Sequence, residues 1–155
     1  MALPQKIKKF LEKQKIKYEI LEHRTVYTAF DKSQTLKVSP KIVVKTLILR
    51  KDKDLIFVLI PADRKLDLKK IRKLGKKVKL VTERTIKNKI KGVKVGAIPP
   101  FGILWKAKTF ADKILKKQKK IIVNGGNWQT SIKLSPKSLE KILPDLVWGN
   151  FSKRK

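Results

Sequence analysis

Two β-rich runs, Ile42 to Arg50 and Asp54 to Ile60, flank the polar residues Lys51-Asp52-Lys53, and this spacing constrains the fold more than any other feature of the chain. Branched and aromatic side chains favour the pleated backbone, and a short polar link between two such runs makes a hairpin with an exposed turn. The pair is expected at the centre of a sheet. Other strands should surround it: alternation over Lys17 to Glu22, the run Val78 to Val81, a strand near Ile103 to Phe110, and a second hairpin of Ile121 to Val123 and Ser131 to Leu134 about Asn124-Gly125-Gly126-Asn127.

Helices are expected between these strands. Ile7, Phe10 and Leu11 recur at helical spacing between Pro4 and Gln14, with lysines on the other face. Thr28 is placed to cap a short helix towards Leu36, and Asp67 to cap one that buries Leu68, Ile71 and Leu74 and stops at Gly75. Thr82 begins a third short helix through Ile90, and Ser135-Pro136 starts one that ends before Pro144. Short helices alternating with hairpins, without regular βαβ crossovers, predict a single α+β domain with a mixed, largely antiparallel sheet. The basic tail, about residues 150–155, is expected to be mobile.

Composition narrows the chemistry. The 155 residues hold no cysteine and one histidine, which removes thiolate catalysis and multi-histidine metal sites and leaves no metal or cofactor expected. No apolar run approaches the roughly 18–20 residues of a membrane span, and the amino terminus lacks the apolar core of a signal peptide, so no membrane partner and a cytoplasmic location are expected. The formal charge is +29, from 41 basic and 12 acidic residues, and suits a polyanion, RNA first. Only six of the basic residues are arginine, so biased codon usage is an alternative source of the charge. A surface that repels itself favours a monomer.

Four places could carry a reaction. In Gly96-Ala97-Ile98-Pro99-Pro100-Phe101-Gly102 the prolines fix φ and remove donors, while the glycines let backbone approach a ligand and leave N–H groups free; a rigid connection between strands is the plainer reading. Lys45 interrupts the apolar run Ile42 to Leu49, either as a ligand for phosphate or carboxylate or simply on the solvent face. His23 titrates near neutrality, as a base or as a hydrogen-bonding wall residue. Asp63 and Asp67 offer carboxylates, with a surface position and a helix cap as their plainer roles.

Taken in order, His23-Arg24-Thr25-Val26-Tyr27-Thr28, Val44-Lys45-Thr46-Leu47, Ile60 to Asp67, the Gly96 to Gly102 loop, Asp112, and Asn124-Gly125-Gly126 followed by Ile132 to Pro136 resemble the YbaK family of aminoacyl-tRNA deacylases, which shares a fold with the prolyl-tRNA synthetase editing insertion. The resemblance spans about Leu3 to Leu143. It implies hydrolysis of the ester joining a wrong amino acid to the 3′ end of a tRNA, most often alanine or cysteine on tRNA for proline, in a trans-acting enzyme that a synthetase could accompany. By that resemblance Lys45 holds the phosphate of the terminal nucleotide, backbone around Gly96 positions the ester, and His23, Tyr27, Thr28, Thr46, Pro100, Phe101 and Gly102 line the substrate pocket. The carboxylate that some members carry after the paired glycines is missing from Asn127 to Ser131. The alternative is a non-catalytic tRNA-binding module on the same fold.

Overall fold

A computed structural model describes residues 2–75 and 77–155. In chain order the elements are α1 (Gln5–Glu12), β1 (Tyr18–Glu22), α2 (Ala29–Leu36), β2 (Val44–Lys51), β3 (Asp54–Pro61), β4 (Arg64–Leu66), α3 (Leu68–Ile71) and β5 (Val78–Leu80). The second half adds α4 (Glu83–Lys89), β6 (Lys108–Asp112), β7 (Ile121–Asn124), β8 (Thr130–Leu134), α5 (Pro136–Ile142), β9 (Val147–Gly149) and β10 (Ser152–Arg154).

The central hairpin forms as its sequence predicts, with β2 antiparallel to β3 from Val44↔Pro61 to Lys51↔Asp54. It sits inside a five-stranded sheet of order β5-β2-β3-β6-β9, in which β6 runs parallel to β3 and β9 parallel to β6. The second hairpin, β7 with β8, is completed by β1 on its other edge, and a Val43↔Ile122 bridge joins the two sheets. Both faces of β3 are covered. Leu59 packs with Ile7 and Leu11 of α1, whereas Val58 and Ile60 pack with Ile71 and Phe151. Each such side chain contributes about 1.5–3 kcal/mol of burial.

Side-chain caps fix the starts of α2 to α5, while Pro4 precedes α1 without one. Thr28 accepts from Asp31 N, Asp67 from Lys69 N and Lys70 N, Thr82 from Thr85 N and Ser135 from Ser138 N. Each satisfies an amide that the first helical turn leaves open.

Three expectations are corrected. Of the residues expected to be buried by the helix after Asp67, Leu68 at its first position is 47% exposed, while Ile71 is buried. The strand expected from Ile103 starts only at Lys108, because Gly102–Trp105 is a turn of 3₁₀ helix. The chain reverses there: Ala107 N donates to the Gly102 carbonyl at 2.9 Å, and Lys106 is left-handed at φ 57°. The tail is not free either. β10 pairs with β4, and buried Asp112 accepts from Phe151 N at 3.1 Å and from the Ser152 hydroxyl at 2.7 Å. Among the described residues, no helix is long and apolar enough to cross a membrane.

Candidate functional site

The proline loop is tied down from behind by the turn between β7 and β8. Lys94 N donates to the Gly126 carbonyl at 2.8 Å, and Gly126 N to the Ala97 carbonyl at 2.9 Å. Asn124 at the end of β7 donates through Nδ2 to the Ile98 carbonyl at 3.1 Å. Pro100, Phe101 and Gly102 are buried. The Phe101 ring lies in the core with its centroid 5.1 Å from that of Phe10, and so anchors the loop from beneath. Gly102 is packed so closely that a Cβ there would lie 2.6 Å from the Ala107 carbonyl oxygen.

The open side of the loop is Gly96. Its φ of +86° is one that side chains seldom adopt, and among the described residues its N–H meets no protein acceptor. Gly96 lines a cavity of about 540 Å³ with Tyr27, Glu83, Lys87, Val93, Lys94, Val95 and Trp128. Tyr27 is 61% exposed and meets Trp128 edge-on, centroids 5.1 Å apart at 68°. The indole is fixed by its N–H, which donates to the Val95 carbonyl at 2.9 Å, and the Lys94 ammonium stands 5.8 Å over the ring. The neighbouring Thr28 is spent on capping α2.

His23 lies against the same wall. Its backbone N–H donates to the Gln129 carbonyl, and Val26 N to the Trp128 carbonyl, each at 3.0 Å. Its Nδ1 lies 2.8 Å from the Arg24 carbonyl and Nε2 lies 2.8 Å from Ser131 Oγ. A carbonyl only accepts, so Nδ1 carries the proton and Nε2 of the neutral ring accepts from the Ser131 hydroxyl. Burial holds the ring below the ordinary histidine range, the Arg24 carbonyl opposes this, and Lys32 adds to the lowering.

Nothing in the sequence distinguishes Lys32 from the chain's other lysines. It is 4% exposed on α2, and its ammonium donates to Asn124 Oδ1, whose amide holds the loop. Burial pushes its pKa down to about 7. The unfolded chain therefore binds a proton that the folded one lacks between about pH 7 and 10.5. Stability from this group is complete above the upper limit and lost as pH falls through the lower one. Thermal melts are expected to show stability rising by up to about 1.4 kcal/mol per pH unit from pH 7 to 9, and Lys32→Met is expected to flatten that rise.

Lys45 stands apart from the cavity. It pairs with Ile60 across the hairpin, is half-buried, and donates through Nζ to the Arg64 carbonyl. Burial lowers its pKa first, Lys155 adds to the lowering and Asp63 opposes it. Strand alternation puts Lys45 on the face of β2 that carries Val43, whose bridge to Ile122 leads along β7 to Asn124. Thr46 takes the other face, paired with Leu59, with its hydroxyl buried and, among the described residues, without a hydrogen-bond partner. Of the residues expected to line the pocket, Tyr27 and Gly96 thus meet at Trp128; His23 and Thr28 flank Tyr27 along the chain, Pro100, Phe101 and Gly102 are buried in the interior instead of lining the cavity, and Lys45 and Thr46 lie on β2 outside it.

The model of the aminoacyl-tRNA editing domain matches residues 23–142. The prolyl-tRNA editing protein ProX of Acetoanaerobium sticklandii is 31% identical over 141 residues, 86% of this chain and 85% of that protein. A proline--tRNA ligase of Brachyspira hyodysenteriae is 30% identical over 129 residues, 81% of this chain but 22% of the ligase. The crystal structure of hypothetical protein APE2540 superposes with a TM-score of 0.85 at 24% identity, covering 96% of this chain and all of that one.

Proposed function

Because the chain belongs to the aminoacyl-tRNA editing domain family, we propose that it is a hydrolase acting in trans, which releases a wrongly attached small amino acid, alanine or cysteine on tRNA for proline first, from the 3′ end of the tRNA. The observation that carries this reading is the unclaimed Gly96 N–H at the edge of the cavity walled by Tyr27 and Trp128. A donor fixed in backbone needs no reorganisation when negative charge develops on the ester carbonyl, which is the property an oxyanion site requires.

Lys45 supplies the other anchor. An ammonium has three N–H donors, and one is spent on the Arg64 carbonyl, leaving two for the phosphate of the terminal nucleotide. In the reaction a water oxygen adds to the ester carbonyl and the carbon–oxygen bond to the ribose breaks. The ribose oxygen takes a proton, giving free amino acid and a tRNA with its terminal hydroxyl restored. An ester is already activated, so water and a positioned substrate suffice, and the substrate's own ribose hydroxyl or a second water relays the proton. His23 is occupied by Arg24 and Ser131 and shapes the wall. Pocket volume discriminates among small side chains, at about 1–3 kcal/mol per methylene.

The test is release of amino acid from a panel of mischarged tRNAs, including alanyl- and cysteinyl-tRNA for proline. Rapid release from one substrate is expected and names the specificity. Tight, salt-sensitive binding with no release from any of them would replace the enzyme by a tRNA-binding module.

A further inference from the structure

The smallest sheet is also the most one-sided in charge. β4 and β10 set Arg64 opposite Arg154 and Lys65 opposite Lys153, so two of the three cross-strand pairs place cation against cation. Such pairs are destabilising where nothing lies between them. The strands are nonetheless held in place. Arg64 Nε donates to the Ser152 hydroxyl at 2.7 Å and Nη2 to the Ser152 carbonyl at 3.1 Å, while Lys70 Nζ reaches the same carbonyl at 2.8 Å. Buried Asp112 accepts from the Ser152 hydroxyl and fixes the group from within.

Beside these strands is a cavity of about 420 Å³ with Lys41, Arg64, Lys117 and Arg154 on its walls and Asp63 as its one carboxylate. Among the described residues the ion pairs are Lys70–Asp67 and Lys116–Glu140, so none of these four cations forms an ion pair with a protein carboxylate, and the single charge of Asp63 is outnumbered four to one. Two of the chain's six arginines meet here, and the planar guanidinium is the side chain best matched to phosphate oxygens. The Lys45 ammonium ends on the Arg64 carbonyl, so the cavity adjoins the residue proposed to hold the terminal nucleotide.

We infer that the Lys41–Arg64–Lys117–Arg154 cavity is a second anion site, which takes phosphodiester groups of the tRNA backbone as the strand leaves Lys45. This rests on reading the partner as tRNA. The terminal nucleotide then sits at Lys45 and the preceding backbone crosses β4 and β10, where its phosphates offset the repulsion between facing arginines. The C-terminal strand is thereby part of the binding surface.

The test compares two triple variants of the full chain with the same formal charge. One is Lys41→Gln, Lys117→Gln and Arg154→Gln; the other is Lys53→Gln, Lys77→Gln and Lys79→Gln, near the opposite end of β2. Uncharged tRNA is titrated at several salt concentrations. Each lost phosphate contact lowers the slope of log affinity against log salt by about 0.9 on a duplex and about 0.7 on a single strand. The cavity variant is expected to lose about 2–2.7 units of slope and the remote variant less than about 0.5, and the cavity variant should raise KM for deacylation with kcat unchanged. Equal losses in the two variants would overturn the site. If melting shows the cavity triple to be misfolded, Lys117→Gln alone decides, with an expected loss of about 0.7–0.9 and none refuting the site. Competition by inorganic phosphate as effective, phosphate for phosphate, as tRNA would make it a small-anion site and overturn the RNA assignment. A wild-type protein that deacylates nothing would sink the enzymatic reading, while the titrations still decide the cavity.

Discussion

Lys45→Ala is expected to lower kcat/KM for deacylation by about 10²–10⁴, from two lost hydrogen bonds to a charged group at about 1.5–3 kcal/mol each. The fold should survive. Lys45 is only half-buried, and the group it leaves behind is one backbone carbonyl, that of Arg64, whose lost hydrogen bond is worth about 1 kcal/mol, or a melting shift of about 2–4 °C in a chain of this size. Lys45→Met separates charge from packing, since it keeps most of the apolar stem and removes the ammonium. Both variants are expected to lose turnover alike, measured as amino acid released from the preferred mischarged tRNA. Lys45→Arg should restore little, because a planar fork does not reproduce three donors spread about one nitrogen. Normal turnover by Lys45→Ala would remove the residue from the site.

The strand that carries Lys45 was legible because the hairpin around it is specified locally by two β-rich runs and a three-residue link, whereas the charge inside the apolar run left open whether Lys45 met a ligand or faced solvent. The helix caps were legible for the same reason, since Thr28, Asp67 and Ser135 each bond an amide two or three residues ahead. β10 was not. Ser152-Lys153-Arg154 has no apolar alternation, and what holds it is Asp112, some 40 residues away along the chain. The parallel pairings of β6 with β3 and β9 are equally non-local, and nothing within either segment announces its partner.

At the site, the Gly96 to Gly102 motif announced a loop but not which of its residues would face a ligand. The structure divides it, with Gly96 on the cavity and Pro100 to Gly102 in the interior. Lys32 was invisible because α2 reads Ala-Phe-Asp-Lys-Ser-Gln-Thr-Leu, with no apolar stripe to mark an inward face. The group that answers its buried ammonium, Asn124, lies 92 residues away along the chain. Trp128 carried a weak signal, an aromatic residue two positions past the paired glycines in a chain with three tryptophans.

That division predicts opposite outcomes for the two glycines that frame the motif. Gly96→Ala must hold alanine at φ +86°, at a cost of about 1–2 kcal/mol; its Cβ would stand at ordinary contact distance, 3.4 Å from the Tyr27 carbonyl oxygen and 3.6 Å from Trp128 Nε1, so the strain lies in the backbone and is relieved by a small shift away from that φ. The shift moves the Gly96 N–H, and losing one oxyanion donor typically costs about 10²–10³ in rate. Gly96→Ala is therefore expected to fold, to bind tRNA as wild type does, and to lose kcat by about 10²–10³ with KM little changed. Gly102→Ala faces the Ala107 carbonyl oxygen at 2.6 Å and Thr109 Oγ1 at 2.7 Å with no strained φ of its own, so its cost is overpacking of the core, about 1–3 kcal/mol or more. It should lower the melting temperature first and activity only in step with the folded fraction. Single-turnover deacylation beside thermal melts separates the two. A Gly96→Ala protein with full turnover would mean that the ester carbonyl is stabilised elsewhere, and the loop would revert to a rigid connection between strands.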